Sequence, residues 1–239
     1  MAIKNHRPDL NGILVIDKPL GMTSARVCAQ VRGLTRGAKV GHAGTLDPLA
    51  TGVLVLCLGK ATKAIDRIMA TEKRYTATID LAAFSTTDDR EGERLPVDVG
   101  TPPLRAQIEQ VLQTQFVGEI EQQPPAFSAL WVDGRRAYTL AREGKAPVLD
   151  ARPVMIHAIE IVRYAWPELE FDIRCGKGTY IRSIARDLGR ALGTGGMLSA
   201  LRRTAVGGYT QAQARFPEDL PTPFMPEELL PVPGAGPSA

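Results

Sequence analysis

Apolar positions along the chain fall into a few clear periods, and these lay out most of the elements. Ile13–Ile16 and Gly52–Leu58 are short apolar runs, closed by Lys18-Pro19 and by Gly59, and read as buried strands. Between them a helix opens at Thr23 or Ser24, runs through Val27, Cys28 and Val31, and ends near Gly33. Residues 35–52 keep no period and read as a structured loop. Lys60–Met69 has helical spacing through Ala64, Ile65 and Ile68, whereas Tyr75–Leu81 alternates as a half-buried strand does. Residues 84–101 form a polar loop. Pro102-Pro103 then opens a helix with apolar Leu104, Ile108, Val111 and Leu112, and Phe127–Val132, a turn at Asp133-Gly134 and a helical Arg135–Arg142 follow. Val154–Tyr164 and Leu169–Cys175 flank Trp166-Pro167 as a long antiparallel hairpin. A helix over Thr179–Leu192 buries Ile181, Ile184, Leu188 and Leu192, and a strand Met197–Val206 comes after it. Single strands, hairpins and irregularly placed helices predict an α+β fold with a mixed, mostly antiparallel sheet flanked by helices.

Composition narrows the class. The chain has 239 residues, 44% hydrophobic and 23% charged, ordinary for a globular protein. Its longest apolar run, Val53–Leu58, falls far short of the roughly 18–20 residues of a membrane span. The opening MAIKNHRPDLNG has no apolar segment of the signal-peptide kind, so a cytoplasmic protein is expected. Cys28, Cys57 and Cys175 form no C-x-x-C pair. The net charge of +3 is a sum of unlike parts. Residues 1–75 carry twelve Lys/Arg against five Asp/Glu (+7), residues 76–172 nine against sixteen (−7), and residues 173–239 eight against five (+3). Basic flanks around an acidic centre suit a polyanion partner if the fold joins the ends, although such runs are also common on solvated faces.

The sequence carries no complete motif for a nucleotide cofactor or a metal. Gly59-Lys60 is followed by Ala61 where a phosphate loop needs Ser or Thr, and Gly176-Lys177-Gly178 lacks the third glycine of a dinucleotide fingerprint. No G-x-S-x-G elbow occurs, and His6, His42 and His157 are too scattered to hold zinc. No metal site and no nucleotide cofactor are expected, which leaves the chemistry to side chains. From Phe216 the chain is thick with proline, and its last residues, GAGPSA, are expected to be disordered.

The stretch Gly41–Leu54, GHAGTLDPLATGVL, is the most informative. Its glycines permit an unusual backbone, and Asp47 is its lone carboxylate, five residues after His42. Asp47-Pro48 fits an N-cap followed by proline at the first helical position. A lone carboxylate also fits a nucleophile at a glycosidic carbon. Hydrolysis would ask for a second carboxylate nearby, and the loop has none.

This loop resembles the catalytic motif of the TruB-type tRNA pseudouridine-55 synthases, and four further segments resemble that family in order. They are LVIDKP with GMTS from Leu14 to Ser24, Lys73-Arg74-Tyr75, CGKGTYIRS from Cys175 to Ser183, and Leu201-Arg202-Arg203-Thr204. The resemblance runs from about Asn11 to about Gly208. It implies the pseudouridine synthase catalytic fold over residues 1–212 and an isomerase that needs no cofactor. Such an enzyme flips a uridine out of the tRNA T loop, breaks the N1–C1′ bond and rejoins the base through C5. Asp47, Tyr75 and Arg182 take the catalytic roles: the covalent step at C1′, stacking on the flipped base, and pairing with the aspartate. From the residues alone, Tyr75 reads as a strand aromatic, and Arg182, Arg186 and Arg190 as a solvated stripe. The resemblance makes His42 the wedge in the T loop, puts Tyr180 and Leu201 on the uracil pocket, and sets Lys18 beside it. Lys63, Arg202 and Arg203 are expected at phosphates on charge and position.

Two features depart from the family pattern. Ser85-Thr86-Thr87-Asp88-Asp89 stands where T-D-T-x-D is usual, so Asp89 keeps the last acidic position as an expected RNA contact while Thr86 replaces the first aspartate. Residues 213–239 are expected to be a proline-rich, largely disordered tail, with no room for the RNA-binding PUA domain of many members. The expected partner is the T arm of tRNA, met by a monomer. An RNA-folding chaperone and a guide-RNA-dependent, dyskerin-like synthase are the alternatives.

Overall fold

The computed structural model describes residues 7, 9–132 and 134–232. Where the sequence suggests one catalytic domain over residues 1–212, the chain divides into two compact units. The first is drawn from Met1–Arg74 and Arg202–Ala239, the second is Tyr75–Leu201.

In the first unit, β1 (Gly12–Lys18) and β3 (Ala50–Leu58) pair antiparallel from Gly12 opposite Leu58 to Lys18 opposite Gly52. Side chains alternate across a strand, so Ile13, Val15, Val53, Val55 and Cys57 share one face. They form a core with Ala61, Ala64 and Ile68, which lie on a 3-10 turn (Gly59–Ala64) and on α2 (Ile65–Met69). The helical spacing over Lys60–Met69 thus belongs to two shorter pieces. Helix α1 (Ser24–Leu34) is capped by Thr23, whose hydroxyl accepts from the Arg26 N–H at 3.1 Å. The loop expected over residues 35–52 contains a short strand, β2 (Val40–His42), which pairs with the far end of β3. The rest of the unit comes from the end of β12 (Met197–Val206) and from β13 (Tyr209–Thr210).

The second unit is built on the strand order β12, β4 (Lys73–Asp80), β11 (Glu168–Cys175), β10 (Arg152–Ala165), β7 (Gly118–Gln122). β10 and β11 are the expected hairpin. Helix α3 (Arg105–Gln115) sends Arg105 and Gln113 to the Ile161 and Ile159 carbonyls, at 2.8 and 3.0 Å, beyond the reach of β7. Those bonds satisfy an edge that would otherwise be open. Helix α5 (Ile181–Leu192) buries Ile181, Ile184, Ala185 and Leu188. It packs so closely at Gly189 that a β-carbon there would collide with the Gly195 carbonyl. The polar 84–101 loop holds a two-stranded ribbon, β5 (Ala83–Ser85) with β6 (Arg94–Pro96). A second ribbon, β8 (Trp131–Val132) with β9 (Arg135–Arg136), leads into α4 (Ala137–Arg142). The turn expected at Asp133-Gly134 falls partly on residue 133, outside the described residues. The α+β class with helices flanking a largely antiparallel sheet is what the periods implied.

The tail corrects the expectation of disorder over the described residues 213–232. Arg215 and Leu230 lie along the outer edge of β1. Asp17 N–H donates to the Arg215 carbonyl (2.9 Å), Arg215 N–H to Val15 (3.1 Å), and Ile13 and Leu230 exchange both bonds at 2.8 Å. Phe224 is 1% exposed, and Leu220 is buried too. Proline removes donors but leaves these spaced apolar anchors intact, and a buried strand edge supplies their partners. GAGPSA lies outside the described residues. Ending the chain after Gln213 removes these four backbone bonds and the anchors, and should cost at least about 3 kcal/mol. Urea unfolding followed by circular dichroism measures this, and an unchanged midpoint would contradict the packing described.

Candidate active site

Between β2 and β3 the chain makes a closed excursion with Asp47 near its tip. Its apolar members, Ala43, Leu46, Leu49 and Ala50, are buried, while Asp47 is half-buried. The N-cap reading of Asp47-Pro48 is overturned. Ala50 N–H donates to the Asp47 carbonyl at 3.0 Å, closing a turn that runs straight into β3 with no helix after it. Ala43 N–H still reaches the Val55 carbonyl of β3 at 2.9 Å, but the peptide groups on either side of Asp47 are satisfied from other segments. Ser24 Oγ accepts from the Leu46 N–H (2.9 Å) and donates to the Leu46 carbonyl (3.1 Å). On the other side of Asp47, the Pro48 carbonyl accepts from the Gly21 N–H at 2.8 Å. Arg203 donates to the Gly44 carbonyl (3.0 Å) and to Val53 (2.7 Å). Gly52, at φ +97, lies so close to the Arg203 backbone that a β-carbon would collide with its carbonyl oxygen.

These contacts correct the role expected for Arg203. Arg203, 2% exposed, is no surface phosphate contact. Lys18 is fully buried, and its ammonium donates to the carbonyls of Met22 (2.6 Å), Pro19 (3.0 Å) and, at 3.5 Å, Pro48. Both side chains donate to carbonyls in and around the Asp47 loop, as a buried donor must. Arg202 is bound by Asp17 through two bonds of 3.0 and 2.6 Å and by Gln211, so a phosphate would have to compete for it. Lys63 is exposed on the 3-10 turn and stays open to a phosphate. His42 is half-buried at the end of β2, and its Nδ1 is buried without a hydrogen-bond partner. Burial holds its imidazole below the ordinary histidine range, and the Arg203 charge acts in the same direction. Ser24 ends the GMTS segment, but the sequence suggests no role for it beyond a helix cap. With Thr23 capping α1, the Ser24 hydroxyl is left for the loop.

The second unit carries the remaining candidates. Tyr75 is half-buried on β4, and Leu201 is buried on β12. Tyr180 precedes α5, where Gln122 accepts from its N–H (2.8 Å) and donates to its carbonyl (3.1 Å). The Arg152 guanidinium lies 5.3 Å from its ring centre. Arg182, 5% exposed, pairs with Asp89 at 3.6 Å and donates to the Phe127 carbonyl at 2.9 Å. The stripe reading therefore fails for Arg182 and Arg186, both buried, and holds for exposed Arg190. Asp89 is corrected as well. It is 3% exposed and accepts from Thr87 Oγ1 (2.6 Å) and the Glu91 N–H (2.9 Å), so it organises its turn and Arg182 rather than meeting RNA directly. Among the described residues, no group of three or more His, Cys, Asp or Glu is placed to hold a metal ion.

Comparison with known proteins gives this geometry its context. Residues 32–181 match the N-terminal domain of the TruB family pseudouridylate synthases, and residues 182–224 match the tRNA pseudouridylate synthase B C-terminal domain. The chain belongs to the TruB family. It is 47% identical to the tRNA pseudouridine synthase B of Arthrobacter sp. (strain FB24), over 88% of this chain and 71% of that protein. With the protein of the same name from Caulobacter sp. (strain K31) it shares 45% identity over 97% of this chain and 76% of the relative. Among solved structures, a chain of a Cbf5-Nop10-Gar1 complex is 31% identical with a TM-score of 0.69, covering 89% of this chain and 54% of that one. An H/ACA RNP bound to a substrate RNA containing 2′-deoxyuridine gives 29% and 0.65, covering 87% of this chain and 52% of that one. The chain thus spans about half the length of those solved chains.

For this TruB member, the half-buried His42 has a checkable titration. A folded pKa below the unfolded value means that the unfolded chain binds the proton more readily, so this contribution to stability is lost as the pH falls below 6.5. An NMR titration should place the His42 ring midpoint below 6.5, and a midpoint at or above that value would contradict its burial as a neutral ring.

Proposed function

We propose that this protein converts the uridine at position 55, in the T loop of tRNA, into pseudouridine. The observation that carries the proposal is the presentation of Asp47. A half-buried carboxylate stands at the tip of a loop whose backbone is tied down on both sides, in a chain whose family and named relatives are tRNA pseudouridine synthases. The target base lies inside a folded RNA loop and must leave its stack, at a cost of a few kcal/mol. Asp47 then attacks C1′, or otherwise carries the detached sugar through a covalent step, as the N1–C1′ bond breaks. The uracil turns, C5 bonds to C1′ as the Asp47 carboxylate leaves it, the C5 proton passes to water, and N1 takes up a proton.

Tyr75 is assigned to the flipped base, and Arg182 keeps the part of companion to the catalytic aspartate that the resemblance gives it. A permanently charged, planar guanidinium suits that part because it keeps a carboxylate ionised and oriented. His42, neutral and with an unpartnered Nδ1, suits a residue that meets the RNA where the base leaves. Tyr180 and Leu201 are assigned to the uracil pocket, and Lys63 to a phosphate. The protein acts as a monomer on the T arm, in the cytoplasm with its substrate; no helix among the described residues is long and apolar enough to cross a membrane.

The test is release of tritium from a T-arm transcript labelled at uridine C5, with no guide RNA added. The wild-type protein should release label in proportion to pseudouridine formed. Asp47→Asn should bind the transcript normally and release at least about a thousandfold more slowly, as expected when a nucleophile is removed. Release equal to that of Asp47→Asn would leave an RNA-folding role, and release only with a guide RNA would favour the guide-dependent reading.

A further inference from the structure

Helix α5 carries a second buried arginine that the proposed reaction does not use. Arg182 and Arg186 are four residues apart and so project from one face of the helix. Each guanidinium takes one carboxylate from the 87–89 turn and one carbonyl from the 123–127 segment. For Arg182 these are Asp89 and Phe127, with a further bond to the Thr87 carbonyl. For Arg186, 7% exposed, they are Asp88 and Gln123, both at 2.9 Å, with Asp187 as an additional partner.

The two sets differ in tightness. Arg182 meets Asp89 at 3.6 Å and the Thr87 carbonyl at 3.4 Å, so its own hold on the turn is long. Arg186 meets Asp88 at 2.9 Å, a full charge-assisted bond. The turn that Arg182 grips loosely is therefore fixed to α5 by the neighbouring pair. Asp88 also sits at φ +63, a conformation that residues other than glycine seldom adopt. Burial pushes its carboxyl above the ordinary range, against the opposing pull of Arg186 and lesser ones from Arg182 and Arg190. A strained backbone and a desolvated carboxylate both cost stability, and such costs persist where a geometry is needed for something else.

We propose that Asp88 and Arg186 are positioning residues, which hold the 87–89 turn to α5 and thereby set the guanidinium of Arg182 for the chemical step. The assignment rests on the function proposed above. Asp88 acts only through its neighbours in the turn and needs no contact with RNA.

The test is the single-turnover rate of tritium release from the labelled T-arm transcript, with transcript affinity and thermal midpoint measured on the same samples. Asp88→Asn is the main variant, because asparagine keeps the shape and tolerates the left-handed backbone. Its rate should fall on the order of 10-fold or more, the scale of a small misplacement of a catalytic group, while affinity and midpoint hold. Arg186→Lys, which keeps the charge, should retain more of the rate than Arg186→Met. A wild-type rate in Asp88→Asn would overturn the assignment. A rate loss accompanied by an equal loss of folded protein would overturn it too, by reducing the pair to a structural tie. Should the wild-type protein itself release no more label than Asp47→Asn, the proposed function fails first and the assignment falls with it.

Discussion

A buried peptide group must find a partner, and in the segment around Asp47 neither helix nor sheet supplies one. The rest of the first unit can be read as an answer to that constraint. Thr23 caps α1, so Ser24 is free to bind both the N–H and the carbonyl of Leu46. The turn after β1 brings Gly21 to the Pro48 carbonyl, and β12 brings Arg203 to Gly44 and Val53. Gly52 lets the Arg203 backbone come close enough for this. A carboxylate at the tip of such a loop has its main chain fixed before any substrate arrives, which is what a nucleophile needs if alignment is to lower its barrier.

The same logic governs the basic residues. Lys18, Arg203 and Arg182 are buried and donate to backbone carbonyls of loops that bear candidate site residues, and buried Arg186 donates to the Gln123 carbonyl and to Asp88. A long side chain with several donors can satisfy loop carbonyls that a short one cannot reach. Part of the cationic excess of the N-terminal third is internal too, since Lys18 and Lys73 are buried. What remains for a polyanion is the exposed set on the first unit, including Lys39, Lys60 and Lys63. A count of charges along the sequence overstates the cations exposed at the surface.

Much of the fold was legible from periodicity because burial in β1, β3, β10 and β11 follows the apolar pattern closely, whereas α5 also buries Arg182, Ser183 and Arg186 and leaves Leu192 half-buried. Strand β7 was not, since GEIEQ is mostly polar and only its pairing with β10 makes it a strand. The helix start at Asp47-Pro48 was plausible locally and lost to the strand that begins at Ala50. Proline density suggested disorder after residue 212, but Leu220, Phe224 and Leu230 are anchors, and the open edge of β1 is their partner. The motifs gave the site residues without saying which are buried. Asp89 and Arg203 look like surface charges in a sequence, and only the structure shows them turned inward.

The central claim is that the Asp47 loop is part of the rigid framework. Amide hydrogen exchange measures this directly at the Leu46 N–H, whose acceptor is Ser24 Oγ. In the wild-type protein this amide should exchange as slowly as those of the β1–β3 ladder, and in Ser24→Ala it should exchange much faster while the ladder stays protected. A Leu46 amide that exchanges in the wild-type protein as fast as the exposed residues around Gly100 would contradict the account.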